Sequence, residues 1–276
     1  MSLDRIGRVG ELRLTFAQRD GSTVLTENYS RPPLQVMRAI RDDAGCLCIY
    51  LLSPTGGVLQ GDRYTMAIHV GARAHALFTT QSATKVYRMP DECAEQDIRI
   101  EVEPGAIFEF VPDAAILFAD ADLSQHIHVR LHPGALLILH EIVMPGRLAR
   151  GECLQFRHYA NRITVRDEAG LLLYDAAEIE PASQDLLTIG KLEGQPCWGS
   201  FYLLGDLEAW QLNAAEFCAA QQATFAGALG DLSPLHRNGV CARMVSPRLE
   251  HIYAAFHGLR RSIRKQIGLP DTPLRK

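Results

Sequence analysis

Three segments of the sequence repeat one plan, and this repeat limits the fold more than any other feature. Each segment has an apolar strand-like stretch, a tight turn with Gly-Ala, and a second apolar stretch; the three are IHVGARAHALF (68–78), IEVEPGAIFEF (100–110) and VRLHPGALLIL (129–139). Pro-Gly in two of the turns fits, because Pro fixes φ and Gly reaches positive φ. Stacked units of this size predict a β-solenoid-like layer or an ordinary β-sandwich.

Alternating polarity supports strands over the first two thirds of the chain. Apolar residues occupy every second position in 64–70, 98–102 and 127–131, which is typical of a half-buried strand because successive side chains point to opposite faces. We therefore expect a mainly β, single domain over residues 1–276. Residues 1–204 are mostly β in this prediction, and 205–270 hold two helices with an intervening β or loop segment.

The last third changes to helical periodicity. Asp206 is a candidate N-cap for a helix that reaches about Thr224. A stronger pattern runs from Ser246 to about Ile267, with apolar residues three and four positions apart and Gly268 at its end. Four basic side chains fall in its last turns: Arg260, Arg261, Arg264 and Lys265. They oppose the negative end of the helix dipole, and they are also a candidate docking surface for an acidic partner.

Composition indicates a soluble cytoplasmic protein. The formal net charge of −4 provides no basic field for nucleic acid. The seven cysteines are spread in a pattern that fits neither a disulfide framework nor a zinc knuckle and suits a reducing compartment. The N-terminus lacks the apolar stretch of a signal peptide. The most apolar run, 134–144, contains His140 and Glu141, so we expect no membrane span.

A glycine-rich loop, SPTGGVLQGDR (53–63), is the most unusual local motif. A phosphate-binding P-loop requires Lys and then Ser or Thr after its last glycine, whereas Asp62 and Arg63 stand there. The loop also precedes a strand, while a phosphate cradle leads into a helix N-terminus. We therefore expect no nucleotide site, and interpret the loop as a turn in which Asp62 caps backbone N–H groups.

Metal and acid patterns leave two interpretations open. His126 and His128 lie on one face of a predicted strand and are weak metal candidates; we expect no tight metal site.

Glu109, Glu141 and Glu152 interrupt apolar stretches, where a carboxylate is costly unless it is paired or hydrated. These acids either form structural ion pairs with nearby arginines or line an internal polar passage. Among the abundant Ser, His and Asp residues, no motif identifies a nucleophile and its base.

Longer motifs resemble a known family. Residues 51–90 contain a Gly-Gly…Gly-Asp run (56–62) and TTQSATKVYR (79–88), and the similarity continues through 110–116 and 146–152. These runs resemble the signature of the UreD urease accessory protein family. The resemblance implies a β-helix-like stack of strands with a small helical part near the C-terminus. It also implies a non-enzymatic scaffold that binds UreF, recruits the GTPase UreG through UreF, and docks on apo-urease.

The same resemblance implies that Ni²⁺ passes transiently and that no cofactor is tightly bound. A conduit has to release its ion, which favours water and carboxylate ligands over thiolates. Our hypothesis is an internal passage lined by five acids and supported by Arg147; the acids are Asp62, Glu109, Asp113, Glu141 and Glu152.

Two rival functions use other features of the sequence. A β-solenoid hydrolase acting on carbohydrate would use Asp120 and Asp122 as paired carboxylates. Aromatic residues make up only 7% of the chain, which is sparse for sugar-stacking platforms, and we expect no export signal. A metal-storage protein would require a much higher density of His and Cys.

Overall fold

The computed structural model describes residues 8–42, 45–225, 228–271 and 274. Most of these residues form strands, and two α-helices lie in the last third. The elements in chain order are β1 (Val9–Arg19), β2 (Ser22–Arg31), β3 (Gln35–Val36), β4 (Ile40–Arg41), β5 (Leu47–Leu52), β6 (Arg63–Val70), β7 (His75–Thr80), β8 (Thr84–Val86), β9 (Ala94–Val102), β10 (Ile107–Phe110), β11 (Ala115–Leu117), β12 (Asp122–Leu131), β13 (Leu136–Met144), β14 (His158–Asp167), β15 (Gly170–Ile179), β16 (Cys197–Gly205), α1 (Ala214–Gln221), β17 (Leu229–Pro234), β18 (Gly239–Ser246) and α2 (Leu249–Gln266). Short 3-10 turns occupy Leu148–Arg150 and Gln222–Phe225.

Two large sheets stack face to face. Sheet A has the order β15-β14-β12-β9-β6-β1-β2, and sheet B has the order β17-β18-β16-β13-β10-β7-β5-β3. The central strands of each sheet run parallel, and antiparallel strands complete both edges. β4 pairs with β5, while β11 joins β8 to β13.

The sequence repeat corresponds to successive turns of a solenoid. In each unit the chain runs along sheet A, turns tightly, and returns along sheet B, as in β6–β7, β9–β10 and β12–β13. The turns stack on one another: Arg73 N donates to Pro104 O at 3.0 Å, and Gly105 N donates to Pro133 O at 3.1 Å. The predicted mainly β, solenoid-like fold is thus confirmed, because each unit buries its apolar face against the next.

Two apolar cores hold the layers together. The first lies between the sheets and includes Phe16, Phe78 and Phe108. The second lies between sheet B and α2, where Phe201 packs against Phe256 with ring centroids 5.6 Å apart. The second face of the central sheet B strands therefore packs under the helical part instead of facing solvent, which explains why β10, β13 and β16 are mainly buried on both faces.

Both helices are shorter than their sequence patterns predict. Asp206 caps a turn, accepting from Ala209 N at 3.2 Å, and α1 begins only after Asn213, whose side chain accepts from Ala215 N and Glu216 N. α2 begins at Leu249, and Ser246, three residues earlier, accepts from Arg248 N at 3.2 Å. In the part of the chain that the structure describes, no helix is long and apolar enough to cross a bilayer.

Candidate functional site

A cavity of about 90 Å³ lies between the two sheets. The tight turns at 71–74, 103–106 and 132–135 close one end of the solenoid, and the cavity lies towards the opposite end. Apolar side chains form much of its wall, with several polar groups between them. A space of this volume accommodates a few water molecules and requires polar partners for them.

One row of sheet A supplies a line of polar groups to this cavity. Tyr64, Gln96 and Gln125 are directly paired across β6, β9 and β12, and Asn161 continues the row on β14. All four stand at the inward phase of strands whose other inward residues are mainly apolar. Parallel pairing in exact register therefore concentrates three amides and a phenol at one level of the interior.

Glu141 projects from β13 of sheet B into the same space. Gln125 Nε2 and Asn161 Nδ2 both donate to its carboxyl oxygens. Burial raises the pKa of Glu141 to about 8, and the negative charge of Asp175 adds to this effect. Among the described residues, no Arg, Lys or His forms an ion pair with Glu141. The cavity thus contains a carboxyl group that is bonded by amides and uncompensated by protein cations.

Asp113 forms a second acidic part of the cavity wall. It follows β10, and its backbone N donates to Thr80 Oγ1 at 2.8 Å. The adjacent Ala114 N donates to the hydroxyl of Tyr253 on α2 at 2.9 Å. The segment that follows β10 is therefore anchored both to β7 and to α2, which fixes Asp113 at the cavity wall.

The glycine-rich loop closes the same end of the cavity. Val58 N donates to Lys85 O at 2.8 Å, and a Cβ at Gly57 would lie 2.3 Å from that carbonyl oxygen, so only glycine allows this approach. Val58 itself lines the cavity, as do Thr80 and Thr84 of the TTQSATKVYR run. The two motifs that are most distinctive in the sequence therefore pack against each other at one structural location.

Asp62 has the capping role within this loop. Its Oδ2 accepts from Leu59 N at 2.7 Å and from the hydroxyl of Tyr64 at 2.6 Å. Burial raises the pKa of Asp62 despite these bonds. The carboxylate contacts Tyr64, a cavity residue, but is not itself part of the wall.

The polar interior continues from Glu141 towards the edge of the molecule. The hydroxyl of Tyr202 donates to Asp175, and Arg243 Nη2 lies 2.7 Å from Asp175 Oδ1. Arg243 also donates to Ser200 at 3.3 Å and has a side chain that is 61% exposed. Acidic and hydroxyl groups thus extend between the sheets to a residue that reaches solvent.

Glu109 lies on the other face of sheet B, away from the cavity. It is fully buried and contacts Arg260 and Arg264 of α2, and His75 Nε2 is 2.7 Å from its Oε1. Burial alone raises the pKa of such a group, but Arg260, His75 and Arg264 outweigh it and hold the pKa of Glu109 well below its usual range. Asp42 completes the cluster, 2.8 Å from Arg264.

Glu152 forms an ion pair at a loop and also lies outside the cavity wall. Arg147 Nε donates to it at 3.0 Å, and the backbone N of Ala119 donates at 3.2 Å. The bond from Arg147 lowers the pKa of Glu152 more than burial raises it. Arg147 therefore orders the chain around Glu152, and in the described part of the chain it forms no hydrogen bond or ion pair with Glu141.

Burial divides the basic group of α2. Arg260 and Arg264 are almost completely buried against Glu109, because their guanidinium groups neutralise that carboxylate. Arg261 and Lys265 are exposed, and Arg261 lies 2.9 Å from Asp271. The hypothesis of a docking surface on this helix therefore narrows to Arg261 and Lys265.

The remaining candidates lie on the outer side of the solenoid or in its loops. His126 and His128 are neighbours on β12, with ring centroids 6.1 Å apart. Asp122 is bound by Arg157 at 2.7 Å and by His158 at 3.1 Å, whereas Asp120 pairs with Arg88 at 3.0 Å. The two aspartates thus have separate cationic partners, an arrangement that does not suit an acid and base pair in a hydrolase.

Sequence reasoning missed the amide row. Gln96, Gln125 and Asn161 each replace an apolar residue at the inward phase of an alternating strand. That break in phase was visible in the sequence. The pairing that aligns the three was not, because register between strands depends on the tertiary structure.

Comparison with known proteins gives one consistent family. The family model described as UreD urease accessory protein matches residues 8–276. A Urease accessory protein UreD of Haloarcula marismortui is 34% identical over 254 residues, covering 91% of this chain and 84% of that protein. The Cenarchaeum symbiosum protein of the same name is 30% identical over 97% of this chain and 95% of its own length. The Deinococcus radiodurans protein of that name is 33% identical over 97% and 94%.

Proposed function

The chain belongs to the UreD urease accessory protein family, and we propose that it serves urease maturation as a non-catalytic scaffold. The family supports a role in urease maturation. We further propose that the chain binds UreF, which recruits the GTPase UreG, and that this assembly docks on apo-urease. In this proposal the nucleotide site belongs to UreG. The glycine-rich loop of this chain agrees with that, because it packs against β8 and serves as a turn. Free thiols at all seven cysteines suit the cytoplasm as the place of assembly.

The finer proposal concerns nickel. A transient carrier of Ni²⁺ requires oxygen ligands that bind weakly, and water molecules that the ion exchanges for them. Glu141, Asp113 and the amide row offer such oxygens around one cavity. We propose that these groups form part of a passage for Ni²⁺ towards urease, with Asp175 and Arg243 on its outer side.

The main support for the proposed passage is the buried environment of Glu141. A carboxyl group between two sheets is costly without a cation, and its raised pKa reports that cost. Entry of a divalent cation would displace the proton of Glu141 and supply the missing positive charge. Asp62, Glu109 and Glu152 lie outside the cavity wall, so the proposal rests on Glu141 and Asp113, which line it.

Co-expression tests both levels of the proposal. Urease is produced with UreF, UreG and this chain, or without this chain, and urease activity and nickel content are measured. Omission of the chain is expected to leave urease largely without nickel and inactive. Equal nickel content and activity with and without the chain would overturn the role in maturation itself.

Single substitutions test the passage separately. Glu141→Gln and Asp113→Asn keep the size of the side chains and remove the carboxyl group that a cation would bind, so we expect reduced nickel in urease with an unchanged pull-down of UreF and urease. Glu95→Gln is the matched control, because Glu95 precedes Gln96 but is exposed on the outer face of β9. Full activation by both cavity variants would remove the passage while leaving the scaffold role intact.

A further inference from the structure

Two histidines and two glutamates meet on the outer face of sheet A. His69 lies near the end of β6, Glu101 lies near the end of β9, and Glu103 and His132 directly follow β9 and β12. His69 Nε2 is 3.2 Å from Glu103 Oε1, and His132 Nε2 is 3.1 Å from Glu101 Oε1. One donor atom each of His69, Glu101 and Glu103 lies within 4.8 Å of the others. We call these four residues the outer cluster.

The backbone holds the outer cluster in place. His69 and Glu101 are direct neighbours in the parallel register of β6 and β9. Glu103 N donates to Val70 O at 2.9 Å, and His132 N donates to Val102 O at 3.0 Å. Residues 101 and 103 are two apart at the end of β9, where the backbone is still bonded to β6, so their side chains leave the same face. Three adjacent strands therefore present four donors at one end of the sheet.

The geometry points to a binding site for a divalent transition-metal ion, and we propose that His69, Glu101 and Glu103 hold Ni²⁺ or Zn²⁺ in a labile manner, while His132 orients Glu101. An ion with bonds of about 2.1 Å has neighbouring donors roughly 3.0–3.4 Å apart, which matches the distance between His69 Nε2 and Glu103 Oε1. Imidazole with carboxylate is a donor set for borderline metals. The two carboxylates also neutralise the charge of the ion.

Exposure makes the site accessible and its ion exchangeable. The side chains of the outer cluster are 20–45% exposed, and His69 and Glu101 line an open groove of about 760 Å³. Arg130 is the register neighbour of Glu101, and a positive charge nearby weakens the binding of a cation, which favours exchange. A fully buried cage would retain its ion, whereas this site leaves coordination positions to water.

Other donor groups fit a metal ion less well. Cys46, His75 and Glu109 approach one another below α2, but Arg260 and Arg264 already neutralise Glu109 there. A divalent ion in that position would stand beside two buried guanidinium groups and have no route from solvent. His126 and His128 lie on the same outer face as the outer cluster, which makes them a useful control.

The proposal goes beyond the role in maturation, and its test uses the purified full-length chain without partners. NiCl₂ and, separately, ZnCl₂ are titrated by calorimetry into the wild type, His69→Ala, His132→Ala and Glu103→Gln. We expect one saturable site, reversed by a chelator, with affinity lowered at least about ten-fold in each variant. His126→Ala, on the same sheet face, is expected to bind like the wild type.

Three results would overturn the metal site. The first is no saturable binding of either ion, and the second is an affinity in all three cluster variants that equals that of the wild type. The third is a loss of affinity in His126→Ala as large as that in His69→Ala. Circular dichroism and thermal melting without metal verify that each variant is folded. Glu103→Gln retains the size of the side chain and its hydrogen bonding, so it tests charge even if a histidine variant fails to fold. Urease activation is not measured here, so failure of this site and failure of the maturation role remain distinguishable.

Discussion

Glu109 and Glu141 are similar in sequence and opposite in environment. Each interrupts an apolar strand of sheet B, Glu109 in β10 and Glu141 in β13. Glu109 faces α2 and is neutralised by arginines, so its pKa is well below the usual range. Glu141 faces the space between the sheets, where burial raises its pKa to about 8 although Gln125 and Asn161 both donate hydrogen bonds to it. Glu109 thus holds a helix in place, whereas Glu141 has amide partners and no ion pair among the described residues.

Strand parity is the origin of this difference. Glu109 pairs with Ile138, and Glu141 lies three positions beyond Ile138 on β13. Because side chains alternate, an odd offset places the two carboxylates on opposite faces of one sheet. The role of a buried acid therefore depends on which face of the sheet its side chain occupies and on its partners there.

The largest expected effect comes from Glu109→Ala. Removal of this carboxylate leaves Arg260 and Arg264 with an uncompensated buried charge, so we expect the free energy of unfolding to fall by about 3–5 kcal/mol. Urea denaturation followed by circular dichroism measures it. Glu27→Ala removes an exposed partner of Arg13 and is expected to cost less than about 1 kcal/mol. Equal losses of stability in the two variants would contradict the distinction between the buried ion pairs of Glu109 and an exposed ion pair.

The second effect is a gain of stability at high pH in Glu141→Gln. The carboxyl of Glu141 holds its proton up to about pH 8 in the folded chain, against 4.5 for an ordinary Glu. The native state therefore binds more protons in that window, and wild-type stability falls as pH rises through it. After allowance for solvation from the cavity, we expect the variant to be more stable than the wild type by about 2–3 kcal/mol at pH 9.

Denaturation from pH 5 to pH 9 tests this, with Glu95→Gln as the control. The advantage of Glu141→Gln is expected to shrink towards pH 5. Glu109 does not interfere with this measurement. Because its pKa is lowered, the stability that it contributes is lost only as pH falls below the ordinary pKa of a Glu, outside the range from pH 5 to pH 9. A pH-independent difference between the variant and wild type would contradict the raised pKa of Glu141.

A smaller effect isolates the helix side of sheet B. A Cβ at Gly199 would lie 2.8 Å from Phe256 Cε2 and 2.9 Å from Ile252 Cγ2, so α2 has to move. We expect Gly199→Ala to lower the free energy of unfolding by about 1–3 kcal/mol. Gly258→Ala is the control, since its Cβ meets only Thr224 at 3.7 Å and Ala favours a helix. Similar losses in both would show that close packing at Gly199 is unimportant.

The smallest effect sharpens the environment of Glu141. Gln125 donates to Glu141 and lowers its pKa, so Gln125→Leu is expected to raise that pKa further. The midpoint of the pH-dependent loss of stability moves upward by less than about one pH unit. Gln96→Leu serves as the control, because it changes the neighbouring amide of the row and, among the described residues, only Gln125 and Asn161 donate to Glu141. A downward shift in Gln125→Leu would contradict the assigned bond.

Much of the fold was predictable because it depends on local patterns. Alternation and the repeated Gly-Ala turns predict the strands and their stacking, and both are present in β6–β7, β9–β10 and β12–β13. Helix boundaries were less predictable, since Asp206 and Asn213 are both good caps and only packing chooses between them. Glu109, Glu141 and Glu152 were selected as interruptions of apolar runs, a pattern that shows their burial is costly but does not show where they lie in the fold.

By itself, the sequence determined the solenoid-like architecture, the family, and the fact that buried carboxylates exist in this protein. These properties follow from periodicity and motifs, which are contained in neighbouring residues. Only the tertiary structure decided that Glu109 meets two arginines from a helix 151 or more positions later, while Glu141 meets Gln125 and Asn161 from the opposite sheet. The reason is physical: the energy of a charge depends on the groups within a few ångströms of it, and the fold brings those groups together from distant parts of the chain.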